Sequence, residues 1–210
     1  MIAALYVLPD GPYAGREDVD LWPEDRDARL YAGPWPVVAH PPCERWGRYW
    51  NGGPSSRVRK ELGADGGCFE AALQAVRTWG GVLEHPEGSH AWRRHGLVLP
   101  PRRGGWIAAD ILGGWTCCVE QGHYGHAARK ATWLYAWGIP GTTLPELAWG
   151  PFDSPSASCD GGKAKFLASG RRASRTGIVQ CLSKRKRTLT PPGFADLLLG
   201  IARLAERKAS

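Results

Sequence analysis

Apolar residues along this chain gather in short, dense runs separated by Gly, Pro and charge. IAALYVL (2–8), PVVAH (36–40) and GVLEH (81–85) are compact and β-branched or aliphatic, and a proline follows each run or its last residue closely. Runs of this length without alternation read as strands buried on both faces. WTCCVEQ (115–121) and ATWLYAWG (131–138) read as two further strands, with HYGHAARK between them. The period changes in GCFEAALQAVRTWG (67–80). There Phe69, Ala72, Leu73 and Val76 share one helical face and Gly80 is placed to end the helix. SHAWRRHG (89–96) predicts a short helix, and residues 16–29, dense in charge, predict surface loop or helix. Segments 46–56 and 97–105 read as loops punctuated by Gly and Pro. The terminal TPPGFADLLLGIARLAERK (190–208) predicts a helix with Thr190 as N-cap, prolines in its first turn, and a stripe of Phe194, Leu197, Leu198, Ile201 and Leu204.

Strand–helix–strand alternation over the first 140 residues or so predicts an α/β layer fold. The expected organisation is an α/β catalytic-type domain over 1–138, a small irregular basic lobe over 139–187, and a C-terminal segment, 188–210, whose helix packs back on the α/β domain. Folds of this class put chemistry at the carboxyl ends of their strands. Cys43 and Glu84 both fall at such ends.

Charge sharpens this division. Residues 1–100 hold 11 basic and 13 acidic side chains, residues 101–210 hold 16 and 7, and residues 163–187 hold nine Lys or Arg and no acid. That asymmetry predicts a polyanion, DNA, as partner, with Arg171, Arg172 and Arg175 in the contacting lobe. A solvated basic tail is the plainer reading. The 11 Trp in 210 residues supply flat surfaces that either finish the core or stack on a base.

The start MIAALYVLPDG lacks the basic segment and the long apolar run of a secretory leader. No stretch is long enough to span a membrane. Six Cys in such a chain are expected to be reduced, and the protein is expected in the cytoplasm. Cys117, Cys118, His123 and His126 lack paired metal-ligand spacing, so no metal is expected.

Three segments carry the candidate chemistry: AHPPCERWG (39–47), GVLEHPEGSHAW (81–92) and HYGHAARKATWLYAWG (123–138). Taken in this order they resemble the DNA cytosine-5 methyltransferases. That family displays a Pro-Cys nucleophile loop after a strand. It then has a strand ending in a Leu-Glu-Asn-Val-like segment, and later a Tyr-Gly-x-Pro-Gln-x-Arg-x-Arg segment leading into a strand. Cys43 matches the nucleophile, with Pro42 before it. Glu84 matches the glutamate, and Tyr124-Gly125 with Arg129 or Lys130 matches the third motif. RTLTPPGFADLLLGIA, near the C-terminus, is similar to a late Arg-x-Leu-Thr segment of the family. The departures are His85 in place of Asn, Lys130 and Thr132 at the aligned Arg positions, and LPDGPYAG where the family has its S-adenosylmethionine-binding glycine loop.

The resemblance implies a Rossmann-like methyltransferase-type sheet and a thiolate that adds to C6 of a flipped pyrimidine to activate C5. Glu84 would contact ring N3 and the exocyclic group, and would serve best with its pKa raised by burial. Arg129 or Lys130 would orient the base and lower the thiol pKa. Arg45, Trp46 and Arg48, with His85 and Tyr124, would contact DNA. S-adenosylmethionine is the implied donor, though its usual motif is not visible, and a different one-carbon or electrophilic donor is the alternative. A non-catalytic DNA-binding protein on a decayed methyltransferase scaffold is a second reading. An enzyme acting on free nucleotides is a third.

Overall fold

The structure, a computed structural model, describes residues 1–52, 57, 60–150, 157–158 and 180–205. Its centre is a seven-stranded sheet of β1 (Ile2–Leu5), β2 (Val19–Trp22), β3 (Val37–Ala39), β4 (Gly81–Pro86), β5 (Ile107–Ala108), β6 (Trp115–Glu120) and β7 (Ala131–Trp137). Their order across the sheet is β2-β1-β3-β4-β7-β6-β5. The first four are parallel, and β7, β6 and β5 join by antiparallel pairing. The fold is thus mixed α/β.

The central strands are apolar throughout because each face is covered by a different helix. Ala3, Leu5, Val37, Ala39 and Leu83 turn to α1 (Cys68–Trp79), packing with Phe69, Leu73 and Val76. Trp92 of the short α2 (His90–Arg94) joins that core. Ile2, Ala4, Val38 and Val82 turn the other way and pack with Phe194, Leu198, Leu199 and Ile201. These come from the last helix described, Pro192–Arg203, which follows β8 (Ala157–Ser158), β9 (Gln180–Cys181) and α3 (Lys184–Thr188) and is therefore α4. The terminal helix thus covers the second face of the sheet.

Several boundaries differ from the sequence reading. β1 ends at Leu5, not residue 8, because Tyr6 turns into the left-handed region with φ 59°. The charged stretch 16–29 contains an unforeseen parallel edge strand, β2, whose four residues are only half-buried. Thr190 does not cap α4. The cap position is Pro191, which makes no side-chain cap bond, and Pro192 at the first helical position has no N–H to satisfy. For α1 the cap comes from outside the helix: the Asp65 carboxylate accepts from the backbone N–H groups of Gly67 and Phe69 at 3.0 and 2.9 Å. Most of the basic lobe, including Arg171, Arg172 and Arg175, lies outside the described residues.

Candidate functional site

The chain leaves β1 for β2 on one side, then returns to place β3 on β1's other side. That reversal opens a crevice beyond the carboxyl ends of β1 and β3, the position where open α/β sheets bind ligands. A cavity of about 430 Å³ lies there. Tyr6, Val7 and Leu8 after β1, His40 to Cys43 after β3, and Glu84 and His85 on β4 line it. Lys130, just before β7, and Arg187–Thr190, leading into α4, complete the wall.

Of the residues expected to do chemistry, Cys43, Glu84 and Lys130 therefore meet in one cavity, with Pro42 and His85 beside them. Prolines 41 and 42 stop β3 from continuing. A turn follows in which the Cys43 carbonyl accepts from the N–H groups of Trp46 and Gly47 at 3.1 and 2.9 Å. The thiol is half-buried. Burial pushes its pKa up, the Glu84 charge pushes it further, and Lys130 pulls it back. The resting group is a neutral thiol.

Glu84 is held at both carboxylate oxygens. His40 Nδ1 lies 2.9 Å from Oε2, and Gln121 Nε2 donates to Oε1 at 3.2 Å and to Thr132 Oγ1 at 2.8 Å. On its other edge His40 Nε2 meets the Tyr13 hydroxyl at 2.8 Å, and Tyr13 is only 1% exposed. The result is a chain Tyr13–His40–Glu84–Gln121–Thr132 running under the cavity. Burial alone would raise the Glu84 pKa, as the sequence reading expects. The His40 hydrogen bond and charge, with Lys130 and His85 adding to it, reverse the sign and bring it to about 2. Glu84 is a carboxylate, not a partly protonated acid.

His85 is fully buried, with Nδ1 2.7 Å from Ser89 Oγ and its ring packed against Phe69 and Trp92. Nε2 faces the Pro41 and Pro42 backbone without a well-formed hydrogen bond. Burial lowers its pKa to about 4, so the ring is neutral. The ring thus sits against the Pro41–Pro42 backbone that leads to Cys43 and braces that turn.

Other expected contacts fall elsewhere. Arg129 is exposed and outside the cavity wall, so the cation of the site is Lys130, whose Nζ donates to the Leu189 carbonyl at 3.3 Å. Trp46 offers no face to a base. It is 4% exposed, packs on Phe69 and His95, and donates through Nε1 to Asp65 at 2.7 Å. Tyr124 packs on Phe194, and its hydroxyl accepts from the Ala148 N–H, outside the cavity. Arg45 is half-buried and Arg48 exposed, its guanidinium 5.8 Å from the Tyr49 ring centroid, and neither lines the cavity.

The 187–190 wall is the Arg-Thr-Leu-Thr segment that the resemblance singled out before the terminal helix, whereas sequence reasoning missed Tyr13, His40 and Gln121. His40 alone carried a signal: a histidine as the first polar residue after a buried strand, three positions before the cysteine.

The glycine loop through which the resembled family holds S-adenosylmethionine has no counterpart after β1. Tyr6 occupies that turn with a side chain donating to the Cys68 carbonyl at 3.1 Å, Pro9 and Pro12 lack N–H groups, and no helix lies between β1 and β2. The residues present do not fit that mode of binding. Among the described residues no group of three or more His, Cys, Asp or Glu is arranged to hold a metal, and no helix is long and apolar enough to cross a membrane. Comparison with protein-family models, with curated proteins and with solved structures finds no match.

Proposed function

We propose that this protein modifies pyrimidine C5 in DNA through a covalent bond from Cys43 to C6, in the manner of the cytosine-5 methyltransferases it resembles. One observation carries the reading. Cys43, Glu84 and Lys130, from three segments well separated in sequence, line a single cavity at the carboxyl ends of parallel strands. The parallel β2-β1-β3-β4 portion, with its ligand crevice where strand order reverses, supports a Rossmann-like, methyltransferase-type sheet. The cavity volume falls in the range of small-ligand sites, roughly 300–1,000 Å³, which suits a flipped base. The basic C-terminal half, and Lys130 and Arg187 on the wall, suit a phosphate backbone.

In this reading the Cys43 thiol gives its proton to solvent water in the cavity and the thiolate sulfur adds to C6. The ring π-electrons move toward C5 and the C4 substituent, and C5 becomes nucleophilic. C5 takes an electrophile, the original C5 hydrogen leaves as a proton, and the thiolate is expelled as the C5–C6 double bond re-forms. When the electrophile is a solvent deuteron, the same steps exchange the C5 hydrogen. The adduct can therefore be detected whatever donor the protein uses in the cell.

The test is mass spectrometry of nucleosides from pyrimidine-containing oligonucleotides incubated with the protein in deuterated buffer. Deuterium at C5 with wild type, and a drop of at least about a hundredfold with Cys43→Ser, is the expected result. Binding without exchange would instead favour the decayed-scaffold reading, to which the cofactor-unfit turn after β1 lends weight.

A further inference from the structure

We infer that the base read by this cavity is a uracil-type ring, presenting N3–H and O4, rather than cytosine, which presents a bare N3 and an amino group at C4. The inference rests on the pyrimidine reading above and deepens it. It starts from what surrounds Glu84. Both carboxylate oxygens already face nitrogens: His40 Nδ1 lies 2.9 Å from Oε2, and Gln121 Nε2 donates to Oε1 at 3.2 Å. Turning the Gln121 amide over would set its oxygen against the Glu84 carboxylate, acceptor facing acceptor. The His40 contact, like the Gln121 one, favours the ionised form of Glu84, the form that accepts on both oxygens. Glu84 is thus an acceptor only.

An acceptor-only group distinguishes the two rings. Against uracil it receives the N3 hydrogen. Against cytosine it meets the N3 lone pair, and only the amino group has hydrogens to offer. The chemistry points the same way. When sulfur adds to C6 of uracil, charge flows to O4 as an enolate. Lys130, an ammonium on the wall of the same cavity, carries three N–H groups, one of them engaged by Leu189. It can supply the cation that O4 then needs. When sulfur adds to C6 of cytosine, charge flows to N3, which must be protonated by the facing acid. Glu84, held ionised by His40, has no proton to give.

Two measurements keep the inference separate from the reading beneath it. The first is equilibrium binding by the Cys43→Ser protein, which cannot form the adduct. Its ligands are single-stranded oligonucleotides that differ only in one deoxyuridine or deoxycytidine, and the mononucleotides dUMP and dCMP. A preference of at least about tenfold for the uracil member of a pair is expected, since a site with a buried hydrogen-bonding group rejects the ring that leaves it unmatched. Preference within the oligonucleotide pair assigns the base to DNA, and within the mononucleotide pair alone to a free nucleotide. Equal binding, or tighter binding of the cytosine members, overturns the inference. Glu84→Gln, whose amide can donate to N3 of cytosine, should shrink or invert the preference; an unchanged ratio removes Glu84 as its source. The second measurement is C5 hydrogen exchange by the wild type. Exchange in neither ring sinks the covalent reading while leaving the binding preference to stand or fall alone.

Discussion

At the scale of single residues the site is governed by two opposed charges around one thiol. Glu84 raises the Cys43 pKa and Lys130 lowers it, both on top of the upward push of burial. Glu84→Gln removes the negative charge and should move the pH profile of Cys43 alkylation to lower pH. Lys130→Met removes the positive one and should move it to higher pH. Iodoacetamide labelling followed by peptide mass spectrometry reads both, because Cys68 is resolved as a separate peptide. Shifts in the same direction, or none, would show that the two charges do not face the thiol. That these residues would meet was legible in sequence because the three motifs of the resemblance each carry one of them, and the structure places all three on one cavity. His40, Tyr13 and Gln121 were not, because they act through hydrogen bonds made across strands: His40 leaves β3 while Glu84 sits on β4, and no spacing in the chain announces that they face each other.

At the scale of elements the site depends on how closely β3 and β4 pair. Gly81, the first residue of β4, has φ 119°, and a Cβ there would come 2.0 Å from the Val37 carbonyl oxygen. Because that neighbour is backbone in a parallel ladder, relief requires moving the strands apart. Gly81→Ala should therefore cost more than about 3 kcal/mol in urea unfolding, well above an ordinary surface change. A loss under about 1 kcal/mol would show that the ladder can yield there. β1, β3, β4, β6, β7, α1, α2 and α4 could all be read from the sequence, since each is either a dense apolar run or an apolar stripe at helical spacing. β2 could not, because an edge strand that is only half-buried has no apolar run to reveal it. The same logic explains Trp46. A tryptophan between arginines in a loop looks like a ligand surface, and only the tertiary contact with Phe69 and Asp65 makes it core.

At the scale of the whole molecule the buried titrating groups make stability depend on acid in two successive windows. His85 is neutral in the fold with its pKa lowered to about 4, against about 6.5 when unfolded, and burial lowers His95 and His126 as well. Between those two values the unfolded chain binds protons that the folded chain refuses, so stability falls as pH drops from 6.5 towards 4. Glu84 acts in the next window. Its folded pKa of about 2 lies below the ordinary 4.5, so its stabilising contribution is present above 4.5 and is lost as pH falls towards 2. A shift of this size corresponds to roughly 3 kcal/mol for His85 alone, a large part of a typical stability of about 5–15 kcal/mol. The rising positive charge of a chain that already carries +7 works in the same direction. The His85→Asn variant separates the two causes, because it removes the buried imidazole and leaves the other ionisable groups in place. In urea unfolding at pH 7, 5.5 and 4.5, the wild type should lose stability at each step. The variant should begin less stable at pH 7, having lost the packing on Phe69 and Trp92, and then decline less steeply. Equal slopes for the two proteins would mean that His85 is not held neutral beneath the cysteine loop, and the bracing role assigned to it would fail with that result.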